Sequence, residues 1–510
     1  MGALVGNGKC AAVCRVAVDG QAGNDGISWT TPKDLHSALA DTGCDELWLK
    51  QGVYRPVTTT GTPTTAERAV TFQISRDLLL YGGYAGSGTV RDPVLYPTIL
   101  SGDIQGDDTD PDSNGIIETT GDIVGNNSFH VMTMGGQDGS SVTAATLLDG
   151  ITITAANTLG APVYYGGGLL CWADVPNAVC SPRLNDVDFR GNSSSQYGGG
   201  MMAWARGKDS DSSPSLTRVR FSGNYARQGG GLANMTSGAN NSSNHLNRSS
   251  PSLVDVSFTG NSGSQGAGMY SQTLGDYSTA SPALSRVTFS SNSTATDGES
   301  GGAMYVRASG LHAIIDPVLS EVTFSNNSAF QNGGAMYFEA TNAATGYLEM
   351  RPVLYHVTFA NNSAIIGGAV ANDGTGGMNN FAPSFSHVIF WGNHATIADN
   401  DIDFTHVSNA FFEYTIMANG CVPTHDGHRN ILCGDGNLTA DPLLGPLQDN
   451  GGFTLTQAPG PGSPAIDAGD PANCSGVDQR GVARPQGPRC DIGAVEVIQG
   501  DAIFANGFEN

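Results

Sequence analysis

The chain has 510 residues, of which 70 are glycine and only 14% are charged, with 47 acidic against 23 basic side chains. Glycine stands at about twice its usual ~7% share, while charge falls well below the usual ~25%. The acidic balance argues against a nucleic-acid binder or a protein held to anionic lipid by basic patches, because both need clustered Lys and Arg to meet phosphate. Lys9, Lys33, Lys50 and Lys208 are the only lysines. The length suggests about three domains, and 39% hydrophobic residues suffice for a large core. No run of 18 apolar residues is present, so no membrane-spanning helix is expected and none is counted among the partners of this chain.

In chain order, the opening from Met1 to Cys10 lacks a basic segment followed by an apolar stretch, so it is not a signal peptide as written. Gly6 stands where a myristoylation site needs Ser or Thr. Of Cys10, Cys14 and Cys44, the expected pair is Cys14 with Cys44, leaving one thiol over. The stretch from Thr31 to Leu39 has helix-start chemistry with Pro32 near the first turn, and Glu46 to Lys50 reads as a first strand. These form an N-terminal cap within a unit spanning residues 1–149. The same unit contains Asp110, Asp112 and Asn114 before Gly115, the opening of an EF-hand-like loop, to which Glu118 and nearby Asp107 or Asp108 could add oxygens. Position twelve is Gly121, not Glu, and no flanking helices are apparent, so a structural calcium ion and a bare solvated acidic loop explain the residues equally.

Between residues 166 and 393 one pattern recurs seven times, and a fixed repeat decides architecture before any single element does. Its first part is a small-residue triplet followed by an apolar residue, from Gly166-Gly-Gly-Leu169 to Gly367-Gly-Ala-Val370. Its second part opens with proline and runs through x-Leu-x-x-Val-x-Phe-x-x-Asn. Pro182, Pro214, Pro251, Pro282, Pro317, Pro352 and Pro383 each lie ten residues before Asn192, Asn224, Asn261, Asn292, Asn327, Asn362 and Asn393. Length varies elsewhere, so insertions enter at two corners, giving longer loops at 236–250 and 338–351. Tyr414 to Asn419 is a weaker eighth copy, and Ile151 to Ile153 ahead of Asn157 an irregular earlier one.

Within a unit, Val187 and Phe189, or Val322 and Phe324, alternate with polar neighbours, which marks half-buried strands. After the triplet the first residue is Leu, Met or Val, whereas the fourth is Trp172, Trp204, Met235, Gln272, Arg307, Glu339 and Asp373 in turn. Charged groups cannot line a narrow apolar interior, so first and third positions point in, second and fourth out. Short strands, glycine corners and a period of 31 to 37 residues describe an all-β chain, a single-stranded right-handed parallel β-helix with one turn per repeat. The regular coils are expected over 150–420. Asparagines at one corner, stacked at the strand spacing of ~4.8 Å, are expected to form a side-chain ladder; glycosylation at the adjacent Asn-x-Ser/Thr sequences is the alternative.

The Gly-Gly-Ala and Phe-x-x-Asn pairs resemble the repeats of bacterial polymorphic outer-membrane proteins, within the pectate-lyase-like β-helix superfamily. Gly462-Ser-Pro-Ala-Ile-Asp467-Ala-Gly469, Asp478-Gln-Arg480-Gly and Cys490-Asp-Ile-Gly-Ala-Val-Glu496 resemble the choice-of-anchor Q domain that closes many secreted β-helical proteins. The resemblance implies the fold and export, but not an activity, because such helices host lyases, hydrolases, adhesins and passive surface proteins.

The last unit, residues 421–510, is rich in Pro, Gly and Cys and is expected to cap the open end of the solenoid. Its terminal segment from Ile503 through Phe508 reads as a docked edge strand or a sorting tag. Cys171 with Cys180, Cys421 with Cys433 and Cys474 with Cys490 flank turn-like stretches and look like disulfide staples of an oxidising compartment, which places the protein outside the cell or on a bacterial surface. Metal binding or reduced thiols is the other reading. The two histidines of His425-Asp-Gly-His428 have spacing too generic for zinc.

For a site, Tyr270, Tyr305 and Tyr337 form an outward column one coil apart, with Trp172 and Trp204 extending an aromatic strip suited to stacking on sugars. Packing of the tyrosines on one another is the plainer account. Arg307, Glu339 and Asp373 form a second outward column, in which two carboxylates could act as nucleophile and acid in sugar hydrolysis, or Arg307 could simply neutralise Glu339. The leading expectation is an exported, adhesin-like surface protein presenting a polysaccharide- or partner-binding face. A polysaccharide hydrolase or lyase is the alternative, and a spacer without ligand the third reading.

Overall fold

The computed structural model describes residues 12–498 except 137–138, 238–245, 295–298, 342–347, 374–380 and 398–399. Cys10, the tail from Ile503 to Phe508 and parts of both longer loops lie outside the described residues. Strands stack in parallel from one coil to the next, giving an 18-stranded sheet, a ten-stranded sheet and a four-stranded sheet among the described residues. This is a parallel β-helix, and the repeats are its coils.

The Leu-x-x-Val spacing sets the shape of the first sheet. Leu216, Val219 and Phe221 in Ser215–Ser222 all face inward, yet Leu and Val are three residues apart, which strict alternation forbids. One residue between them must turn. It is a left-handed column, Asp186, Arg218, Asp255, Arg286, Glu321, His356 and His387, with φ between 50° and 58°, and the strand register skips at this point. A second left-handed column precedes the asparagines and a third opens each glycine triplet. Within the triplet at the second coil, a Cβ on Gly199 would meet Tyr225 O at 2.3 Å and Gly230 O at 2.5 Å. At Gly199 the next coil's backbone therefore leaves no room for a side chain, whereas two coils on, the same position is filled by Ala267.

Inside, Phe189, Phe221, Phe258, Phe289, Phe324, Phe359 and Phe390 stack face to face with centroids 4.6–4.9 Å apart. The asparagines form a continuous buried ladder beside them. Asn292 Oδ1 accepts from the Asn261 backbone N–H (3.1 Å) and from Asn261 Nδ2 (2.9 Å), while Asn292 Nδ2 donates to Phe258 O at 2.9 Å. The same bonds run from Asn192 to Asn393, whose Nδ2 ends the series on Asp401 Oδ1. At the start, Ala156 donates its backbone N–H to Asn192 Oδ1, so Ala156 occupies the corner assigned to Asn157 by sequence.

Glu46–Lys50 is a strand, but Val13–Val16 precedes it and pairs with it in parallel. The helix Leu35–Ala40, capped by Asp34, buries Leu35, Ala38 and Leu39 at this end. All four expected disulfides are formed: Cys14–Cys44, Cys171–Cys180, Cys421–Cys433 and Cys474–Cys490.

The C-terminal region departs from the expected end cap. Ile402–Phe404, Val407–Glu413 and Arg429–Cys433 make the last coils. After them the chain folds back as an arm along the outer face of the first sheet. Thr288 Oγ1 donates to Leu455 O and Thr323 Oγ1 to Gln479 Oε1, both at 2.6 Å. Further along, Thr358 Oγ1 accepts from Ala494 N at 3.1 Å. The reason lies in one outward column: Asp188 and Arg220 give way to Ser257, Thr288, Thr323, Thr358 and Ile389, a face with no charge of its own. Ile389 and Ile416 bury against Ala465 and Ile492 of the arm.

Arg484 of the arm enters this contact and bonds Glu321 and Glu496, each at 2.8 Å. His387 Nε2 accepts the Asp470 backbone N–H at 2.8 Å, which leaves the ring proton on Nδ1, facing Ser386 Oγ at 2.9 Å. Burial, reinforced by Arg484, pushes His387 down to about 4. Burial pushes Glu321 up to about 8, opposed by Arg484, and raises Asp491 to about 6.

Two outcomes follow. Asn292→Ala leaves Phe258 O and the Asn261 donors buried without partners and is expected to cost about 3 kcal/mol in urea unfolding, whereas exposed Ser252→Ala stays within about 0.5 kcal/mol. Between about pH 6.5 and 4 the unfolded chain binds the His387 proton and the native one does not, so this residue makes stability fall as pH falls. Glu321 acts in the opposite sense as pH rises from 4.5 toward 8. Thermal midpoints of His387→Asn are therefore expected to decline less than wild type from pH 6.5 to 4.

Candidate functional site

The ten-stranded sheet carries Leu169–Ala173, Met201–Ala205, Leu232–Ser237, Met269–Leu274, Met304–Ser309, Met336–Thr341 and Val370–Asp373, each in register with the next. First and third residues enter the main core. Second residues, Leu170, Met202, Ala233, Tyr270, Tyr305, Tyr337 and Ala371, form a separate apolar cluster on the opposite side.

Seven aromatic rings run through this cluster in unbroken contact. Trp172 stacks on Trp204 at 5.9 Å, Trp204 meets Tyr165 edge-on at 5.1 Å, and Tyr165 meets Tyr197 at 5.5 Å. The chain continues from Tyr197 to Tyr270 at 6.0 Å, Tyr270 to Tyr305 at 5.4 Å and Tyr305 to Tyr337 at 5.0 Å. The tyrosine column does not present ring faces to solvent, however: Tyr270, Tyr305 and Tyr337 are 1%, 3% and 6% exposed. Tyr270 lies along the strand, with its hydroxyl on Gln272 Oε1 at 3.0 Å, and the Tyr305 hydroxyl reaches Glu339 Oε2. Burial, and then the carboxylates nearby, holds the Tyr305 and Tyr337 hydroxyls far above their usual range, so both stay neutral, and Tyr305 donates to Glu339. The half-buried rings are Trp172, Trp204, Tyr165 and Tyr197. The last two immediately precede Gly166 and Gly198, a position whose outward direction the triplet pattern alone did not reveal.

Arg307, Glu339 and Asp373 stand in one row by strand register. Arg307 Nε approaches Glu339 Oε2 at 3.3 Å, and the same carboxylate accepts from Tyr305. Glu339 is thus engaged on both sides, as an ion-pair member rather than a free nucleophile. Arg206 lies over the Trp204 ring at 5.4 Å and pairs with Asp174 at 3.0 Å, placing charge at the other end of the ribbon.

In the acidic loop, Asn114 Nδ2 donates to Asp112 Oδ2 (2.8 Å) and Glu118 Oε1 (3.4 Å), and Gly115 N donates to Asp110 Oδ2 (2.8 Å). These oxygens serve the loop's own turn. The carboxylates that converge within 4.8 Å are instead Asp103, Asp107 and Asp108. Burial and the two neighbouring carboxylates push Asp108 up to about 7. His356, His387 and Cys490 also converge, but the Cys490 sulfur is bonded to Cys474 and offers no thiolate. His425 lies in the Thr424–His425 hairpin and His428 packs edge-on against His406.

No protein-family model matches the chain, and no curated protein matches it. Among solved structures it is similar to the crystal structure of pectate lyase Pel9A, at 12% identity over 95% of this chain and 96% of that one, with a TM-score of 0.44. A likeness of this degree concerns overall shape and carries nothing about the site.

Because the tyrosines are a buried floor, Tyr305→Ala should cost about 3–5 kcal/mol, as for a large core aromatic, and Tyr305→Phe, which removes a hydrogen bond to a carboxylate, about 2 kcal/mol. Denaturant unfolding of both variants measures the difference.

Proposed function

We propose that this chain is an exported, adhesin-like β-helix protein that binds polysaccharide or a glycosylated partner along the aromatic ribbon of the ten-stranded sheet. The observation that carries this reading is a seven-ring aromatic chain built outside the main core, with Trp172 and Trp204 partly exposed at its edge. A solenoid core does not need it. The C–H faces of sugar rings pack on indole, and their hydroxyls suit the Arg206–Asp174 pair beside Trp204. The tyrosines serve as the floor that fixes these rings, and the Arg307–Glu339 pair closes the row. Four disulfides support an oxidising, extracellular setting.

The test is affinity electrophoresis on a panel of neutral and acidic polysaccharides, with parallel assays for new reducing or unsaturated ends. Retention on at least one polymer is expected, with about tenfold weaker binding in Trp204→Ala and Trp172→Ala. Turnover that disappears in Glu339→Gln would replace this reading with the hydrolase or lyase alternative. Absence of retention on every polymer leaves the spacer.

A further inference from the structure

Where the arm crosses the asparagine corner of the coils, it borders an open cleft of about 520 Å³, within the size range of small-molecule sites. Asn326, Asn361 and Trp391 line it from the coils, and Leu444, Pro446 and Gln457 from the arm. None of its lining side chains is ionisable, so an ion entering it would lose hydration without gaining a countercharge.

Gln457 is 4% exposed. Its Nε2 donates to Gly445 O at 3.1 Å, while its buried Oε1 has no hydrogen-bond partner. A buried acceptor without a donor is unfavourable, and native interiors rarely keep one without use. The asparagines give a second, independent indication. Asn326 and Asn361 occupy the left-handed column that Gly191, Gly223, Gly260 and Gly392 fill elsewhere, with φ of 56° and 57°; Ser291, at 55°, is the other residue with a side chain there and lies away from the cleft. Glycine is the easier residue in that conformation, and both asparagines stand at coils the arm crosses. The Asn361 side chain also excludes a Cβ from Gly392, which would come within 2.5 Å of Asn361 Oδ1.

We propose that this cleft is a binding site for a neutral sugar. Trp391 supplies apolar surface for the C–H face, the asparagine amides offer both donors and acceptors, and the buried Gln457 amide takes a hydroxyl proton on Oε1 once its side chain turns into the cleft. The site shares no residue with the aromatic ribbon, and its wall is completed only when the arm is docked.

Saturation-transfer NMR and calorimetry with glucose, N-acetylglucosamine, maltose and cellobiose test it, with galacturonic acid as the charged comparison. At least one neutral probe is expected to bind saturably, and Trp391→Ala and Gln457→Leu to weaken it by about tenfold or more. Asn361→Gly places in this coil the residue other coils use there, so it keeps the fold and is expected to weaken binding as well. Trp204→Ala, in a different sheet, is expected to leave this affinity unchanged, which separates the cleft from the ribbon. Binding by none of the neutral probes, preference for galacturonic acid, or undiminished affinity in all three cleft variants would overturn the proposal.

Discussion

Each residue of a regular coil has its own column repeated at the strand spacing of ~4.8 Å above and below. Like must therefore tolerate like, and the rest of the structure follows from this. Phenylalanine satisfies the condition by face-to-face stacking, and asparagine by carrying both donor and acceptor on one amide. Charge satisfies it by alternation, as Arg218 pairs with Asp186 and Arg286 with Asp255 in the left-handed column. The alternation ends at Glu321 followed by His356, where burial favours the neutral acid, and Arg484 from outside the coils bonds Glu321 and pairs with Glu496 of its own arm. The arm is thus anchored at the place where the column no longer alternates.

The same constraint divides the surface. Inward positions are filled by stacks and leave no room for function. Outward positions are free to differ from coil to coil, and they do so in two places. On the ten-stranded sheet the second-position column turns aromatic and gathers rings from the corner before it. On the 18-stranded sheet the outward column loses its charge and receives the arm. The cleft at Trp391 exists because an irregular segment lies across a regular one and the two profiles do not match everywhere.

Much of the coil was legible because its spacing is invariant. Ten residues from proline to asparagine must cross the same piece of scaffold each time, so the ladder and the phenylalanine stack could be named residue by residue. The left-handed column was also present in the Leu-x-x-Val spacing of three, which strict alternation cannot accommodate. The tyrosine column shows the limit. Alternation reports which side of a sheet Tyr305 leaves from, but not that its ring lies down toward Glu339 under its neighbours. Asn157 was assigned to a corner that register gives to Ala156, because the early coil lacks the phenylalanine that sets the count.

The sequence by itself determined the solenoid, its inward columns and its glycine corners, since each depends on residues at short, repeated separations, and it pointed to disulfides between near neighbours, while the structure decided that Cys14 pairs with Cys44. Only the tertiary structure decided the path of the arm, the burial of the tyrosines and the convergence of Asn361, Trp391 and Gln457. Those contacts join residues whose separation in sequence follows no period. Shape, the loss of charge on one column and the desolvation of unpaired groups bring them together.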